Sequence, residues 1–245
     1  MKKIITYATV LIAFLACSDD FTDSTLSGQL SDESLESEQG VNLLLTGAYS
    51  AMDIGDIGGF RASGDNWWQD AISDDAHKGS TDGDQQELLQ LELFQWNTSN
   101  RYILEQWTGL FAGVNRANSV LALINSIEGG PENLVAQVAE ARFLRAHFNF
   151  ELTKMYGFIP FISEQNYADT EFNQPNETQI WDQIEADYTF AVENLPATQA
   201  EVGRATSWAA KAFLAKAHLF QEDWTQALTI FTDIIENGPY ELLPN

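Results

Sequence analysis

The sequence predicts a mostly α-helical fold, built from antiparallel helical hairpins and preceded by a long irregular segment. Three observations predict it. From residue 100 onward, apolar side chains recur at three- and four-residue spacing. Gly-Gly, Gly and Pro mark the ends of those periodic stretches. Between residues 53 and 96 no period of either kind is sustained; eight aspartates and six glycines crowd the stretch from Asp53 to Asp84.

The chain opens on Lys2 and Lys3, followed by a short apolar run over residues 4–16 and then Cys17 and the acidic Ser18-Asp19-Asp20. A basic start, an apolar stretch and a small residue before a cut are the parts of a secretory signal peptide, expected over residues 1–16. The run falls short of the ~20 apolar residues of a membrane-spanning helix. Cys17 is the only cysteine, so no internal disulfide is available. Its place directly after Ala16 suits cleavage followed by lipid attachment, with residues 17–37 as a polar tether. An ordinary signal peptide that happens to precede a cysteine is the alternative. Formal charge is −24, from 36 acidic and 12 basic residues. So acidic a chain repels phosphate backbones and anionic headgroups, which argues against nucleic acid as a partner. No basic amphipathic helix offers a membrane anchor, leaving that task to acyl chains.

A helical domain is expected over residues 38–245. Its first helix, over 38–52, carries Val41, Leu44, Leu45 and Ala48 at helical spacing. The stretch over 53–96 then reads as a loop too long to be idle, and Trp67 and Trp68 argue that it is ordered. A long amphipathic helix follows over 102–127, ended by Gly129-Gly130. Pro131 sits where a first helical turn accepts proline, and a helix over 132–156 stops at Gly157. This helix is apolar on two sides (Leu134, Val138, Ala141, Phe148, Leu152, Met155; Phe143, Ala146, Phe150), so it is packed on two sides. Asn176 with Gln179 has the spacing of a capping box and opens a helix to 194; residues 206–220 form the next, and Asp223 with Gln226 opens the last, closed by Gly238-Pro239.

In those last two helices Leu214-Ala215, Trp224, Ala227, Phe231 and Pro239 resemble the tetratricopeptide helix–turn–helix repeat, in which small residues let two helices approach and aromatics fill the seam. One such unit cannot bury its own face, so neighbours must stack on it.

A wider resemblance runs along the chain. Gly28-Gln29-Leu30, the helix Val41 to Tyr49, Ser73-Asp74-Asp75-Ala76-His77-Lys78-Gly79, Asn115-Arg116-Ala117-Asn118, and above all Ala139-Glu140-Ala141-Arg142-Phe143-Leu144-Arg145-Ala146 resemble the amino-terminal portion of the SusD/RagB family. Ala209-Ala210-Lys211-Ala212 continues the match. The resemblance implies a mostly helical, tetratricopeptide-like scaffold with irregular loops forming the ligand face. It implies a lipid-anchored protein of the outer-membrane surface that binds glycans, or in some members peptides, for a SusC-like TonB-dependent transporter, without catalysis or cofactor. The acidic run after Cys17 is similar to the signal that sends such proteins to the surface. Family members are longer, so the chain is expected to be a fragment or the product of a shortened gene.

Among seven tryptophans, Trp107, Trp181, Trp208 and Trp224 fall at or beside apolar helical positions and are expected in the core, and Trp96 as a wall residue. Trp67 and Trp68 lie beside Asp65, Asn66, Gln69 and Asp70. An indole offers its face to the C–H side of a sugar while carboxylates and amides take the hydroxyls, so Asp65, Asn66, Trp67 and Trp68 are candidate ligand residues. Asp74, Asp75 and Lys78 form a second polar cluster for the same ligand; loop-turning chemistry is the alternative. Arg142 and Arg145 are expected to be architectural, neutralised by Glu140 or Glu151. His77, His147 and His218 have no metal-ligand spacing, Asp82-Gly83-Asp84 lacks the glutamate that closes a calcium loop, and neither a HExxH pair nor a nucleophile elbow is present. Two other functions compete: a tetratricopeptide-like scaffold lipoprotein binding protein partners, for which the 53–96 stretch is superfluous, and a carbohydrate hydrolase, for which carboxylates are abundant but show no paired spacing.

Overall fold

A computed structural model describes residues 35–53, 67–73, 75–81, 83–169 and 176–242, with side chains at 67 and 68 excepted. The signal segment, Cys17 and most of the tether lie outside the described residues. The chain divides into Met1–Leu35 and Glu36–Asn245, and the second unit carries the fold. Among the described residues it holds nine helices and no strand.

Helix α1 (Glu38–Ser50) is capped by Ser37, whose hydroxyl accepts from Gly40 N–H at 3.1 Å, and it buries Val41, Leu45 and Ala48. Two short helices follow, α2 (Trp67–Ile72) and α3 (Gln86–Glu92), in the stretch expected to be irregular throughout. Each is under two turns and flanked by aspartate and glycine, too short for periodicity to register. They are held by contact with each other and by a small core of Ala71, Leu88, Leu91 and Tyr102.

Helix α4 (Arg101–Ser126) is capped by Asn100, which accepts from Tyr102 N–H at 3.1 Å. Beyond it, the expected single helix over 132–156 is two: a short turn, α5 (Gly130–Asn133), and α6 (Val135–Tyr156), broken at Leu134, whose side chain joins the core. Helix α6 is the centre of the bundle. It packs against α4 and α1 on one side and against α7 (Trp181–Asn194) and α8 (Ser207–Phe220) on the other, as its two apolar faces predict. Gly113 sets the α4–α6 spacing: a Cβ there would lie 2.7 Å from the Phe148 ring. Helix α9 (Trp224–Asn237) packs on α8, with Ala215 and Ala227 buried in the seam. Its cap is Asp223, as expected, accepting from Gln226 N–H at 3.3 Å.

Two further expectations change. The Asn176–Gln179 capping box does not form: residues 176–179 are exposed, and α7 starts after buried Ile180, which gives it no side-chain cap. A helix gains its stability from the face it buries, and the exposed residues 176–179 bury none. The Arg142 and Arg145 charges are met from other elements. The Arg145 guanidinium forms a fork on Asp187 of α7 (2.7 and 2.9 Å), and its Nη1 donates to Asn118 Oδ1 (2.9 Å) and Glu164 Oε2 (2.5 Å). Arg142 lies 3.9 Å from Asp187 and over the Phe190 ring. Glu140 instead accepts from Tyr49 Oη of α1 (2.6 Å) and from Arg204 (3.3 Å), and Glu151 pairs with Lys154. Two of the three charged members of the Ala139–Ala146 motif, Glu140 and Arg145, therefore tie separate elements together.

Candidate functional site

The small core under α2 and α3 places them over the start of α4 and the end of α6, and a cavity of about 580 Å³ opens there. Its lining includes Ile72, Leu91, Trp96, Ile103, Met155 and Tyr156, with Gln69 and Lys154 as polar members. Trp96 is 43% exposed, and its ring lies 5.6 Å from that of Phe94, itself 67% exposed. Tyr156 is fixed from behind. Its hydroxyl donates to Ile103 C=O at 2.6 Å, and Trp107 stands edge-on to its ring at 4.9 Å. Burial pushes its phenol pKa well above the ordinary value, so it stays a neutral hydroxyl. On the other side of the Trp107–Tyr156 pair, Trp107, Phe111, Asn115 and Tyr167 line a second hollow of about 330 Å³.

The loop before α3 is clamped to it. Glu92 accepts from Lys78 N–H (2.9 Å) and meets His77 Nδ1 (2.8 Å); these two contacts lower its pKa below the ordinary carboxylate value. The Lys78 ammonium turns back on its own loop, donating to Gly79 C=O (2.9 Å) and Thr81 C=O (2.7 Å). At the far end Tyr102 Oη meets Gln85 Oε1 (2.5 Å) and Asn100 Nδ2 donates to Glu87 C=O (2.9 Å).

The sequence-predicted residues fall unevenly. Asp65, Asn66 and Asp74 lie outside the described residues. Trp67 and Trp68 open α2, one turn before the cavity residue Ile72, with only their backbone described. Asp75 is exposed, and neither it nor Lys78 is among the described lining residues. Trp107 and Trp181 pack against core aromatics as expected, whereas Trp224 is 60% exposed on the outer face of α9. Trp96, expected as a structural wall residue, is half-exposed and lines a cavity. Sequence reasoning had no access to Tyr156 and Met155 as its partners, since they lie on α6, more than fifty residues further along. No helix of the described residues is long and apolar enough to cross a membrane.

The bundle is shared with solved proteins. A laminarin-binding SusD-like protein superposes with a TM-score of 0.73 at 26% identity, over 84% of this chain and 46% of its own. Surface glycan-binding protein A from Bacteroides fluxus gives a TM-score of 0.68 at 25% identity, over 84% and 46%. In sequence, a SusD-like protein of Bacteroides ovatus is 29% identical across all of this chain and 46% of its own length. The chain spans about half the length of the curated relatives it matches. A family profile described as "SusD-like_3: Starch-binding associating with outer membrane" matches residues 20–219. That match takes in the bundle from α1 to α8 together with the stretch that builds the cavity, and the chain accordingly belongs to the SusD-like family.

Proposed function

We propose that this chain is the helical portion of a surface protein that binds glycans at the outer membrane and delivers oligosaccharide to a SusC-like TonB-dependent transporter. The observation that carries the reading is the cavity walled by Trp96 and Tyr156. It pairs an exposed indole and a neutral phenol with an amide and an ammonium, the mixture that a sugar ring with its apolar faces and hydroxyl edge requires. Trp67 and Trp68 at the start of α2, with Asp65, Asn66, Asp74, Asp75 and Lys78 around them, are proposed to extend this face. The relatives' names, laminarin-binding and surface glycan-binding, support the same ligand class.

Native gels cast with laminarin or with starch test the reading. The chain is expected to migrate more slowly in at least one of them than in a plain gel, with no new reducing ends appearing on prolonged incubation. Unaltered migration in both would sink it. It would also leave standing the scaffold alternative, whose one favourable observation is the outward apolar face of α9 (Trp224, Leu228, Ile235).

Anchoring is proposed to run through a lipid on Cys17. Replacement by serine should move the protein from the membrane to the soluble fraction and end its co-purification with a TonB-dependent transporter; a Cys17→Ser protein that stays with the membrane contradicts the anchor.

A further inference from the structure

A third cavity, of about 490 Å³, lies where the end of α6, the start of α7 and the α8–α9 turn meet. That is a usual size for a small-molecule site. Its aromatic members are Trp181 and Phe220. Both stand nearly edge-on to the buried Phe150, at 5.9 and 5.2 Å, so the core fixes their positions. The turn behind Phe220 is also held: Glu222 adopts a left-handed backbone (φ 62°), and Gln221 Nε2 donates to Glu185 and to Ala217 C=O.

The polar members are what point to a ligand. Thr153, one turn beyond Phe150 on α6, is 4% exposed, and its hydroxyl has no hydrogen-bond partner among the described residues. Folded proteins seldom leave such a group unsatisfied, and one that lines a cavity is a donor and acceptor in waiting. Helix α7 begins in the same place without a side-chain cap. The rim carries one cation, Lys154, and one anion, Glu222. Lys154 is already paired with Glu151, so the rim offers an anion no free cation and suits a neutral, hydroxyl-rich ligand. Lys154 lines the Trp96 cavity as well, so the two hollows lie to either side of one side chain.

We propose that this cavity is a second sugar-binding subsite, which takes a neutral pyranose ring against Trp181 and Phe220 with hydroxyl contacts to Thr153, and that it continues the Trp96 site across Lys154. The proposal rests on the glycan-binding reading above.

Titration of the chain with laminarihexaose and with maltohexaose tests it, using Thr153→Val and Phe220→Ala. Valine keeps the shape of threonine and removes only the partnerless hydroxyl, so the free Thr153→Val protein should melt at or above the wild-type temperature. Its affinity for the hexasaccharide that wild type binds should nevertheless fall about fivefold. Phe220→Ala, at a half-exposed ring, should weaken the same ligand by at least as much. If both variants bind as wild type does while Trp96→Ala is weakened, the second subsite is wrong and the glycan reading stands. If wild type binds neither hexasaccharide, the glycan reading falls and takes the subsite with it.

Discussion

Arg145→Met is expected to lower the free energy of unfolding by about 3–5 kcal/mol, the usual cost of removing one partner from a buried ion pair. Arg145 and Asp187 are each 4% exposed, and one guanidinium serves two carboxylates and an amide oxygen from three separate elements. Burial alone would lower the Arg145 pKa, but Asp187 and Glu164 more than offset it and hold it above the ordinary value. Methionine fills similar volume and leaves Asp187 buried without its fork, and Asn118, which also donates to Ile162 C=O, without its acceptor role. Against a total stability of about 5–15 kcal/mol for a domain this loss is severe. Urea denaturation measures it. The companion Arg145→Met/Asp187→Asn should recover part of the loss by removing the stranded charge; a single variant within about 1 kcal/mol of wild type would mean that the network contributes little. Glu164 adds a pH signature. Burial pushes its pKa up, Arg145 pulls it down further, and the net is below 4.5. Its contribution is therefore complete above that value and is lost as pH falls through the depressed folded value. In Arg145→Met this dependence should flatten.

Trp96→Ala is expected to weaken binding of the retarding polysaccharide by about 10- to 100-fold, since the apolar face of an aromatic side chain contributes about 1.5–3 kcal/mol when covered. Stability should barely change, because Trp96 is 43% exposed and packs mainly on Phe94. Trp224→Ala is the control. That indole is more exposed still, at 60%, yet lies on α9 outside the described lining of all three cavities. Equal loss in both variants would indicate general adhesiveness of indoles and count against a site. The Trp67→Ala/Trp68→Ala pair should fall with Trp96→Ala if the opening of α2 shares the ligand; wild-type affinity there would confine the site to Trp96 and Tyr156.

How far the site was legible follows from the distances in sequence over which it is built. Trp96 lies at the edge of an aspartate- and glycine-rich stretch, where the sequence alone assigns it a structural place. Its counterpart Tyr156 looked like the end of a helix, and nothing local distinguishes a tyrosine that closes a helix from one that walls a cavity. Thr153 was invisible for a related reason: a hydroxyl on an apolar face is ordinary until every neighbour has been placed and none is found to bond it. Arg142 and Arg145 read as architectural from the sequence, and both meet Asp187 within the bundle. Their partners were misassigned because proximity along a helix was the only proximity the sequence offers.

By itself the sequence determined the helices of the bundle. Helical periodicity, the cap at Asp223, and the breaks at Gly129 and Gly157 are local properties, settled within a turn or two of chain. It also determined that α6 is buried on two sides, since both of its faces are apolar. Tertiary structure alone decided which charges meet, where α7 begins, and that two hollows share Lys154. Those outcomes depend on groups brought together from 42 residues apart, as in Arg145 with Asp187, or 91, as in Tyr49 with Glu140. Burial strengthens such contacts by removing water, and burial exists only once the bundle has closed.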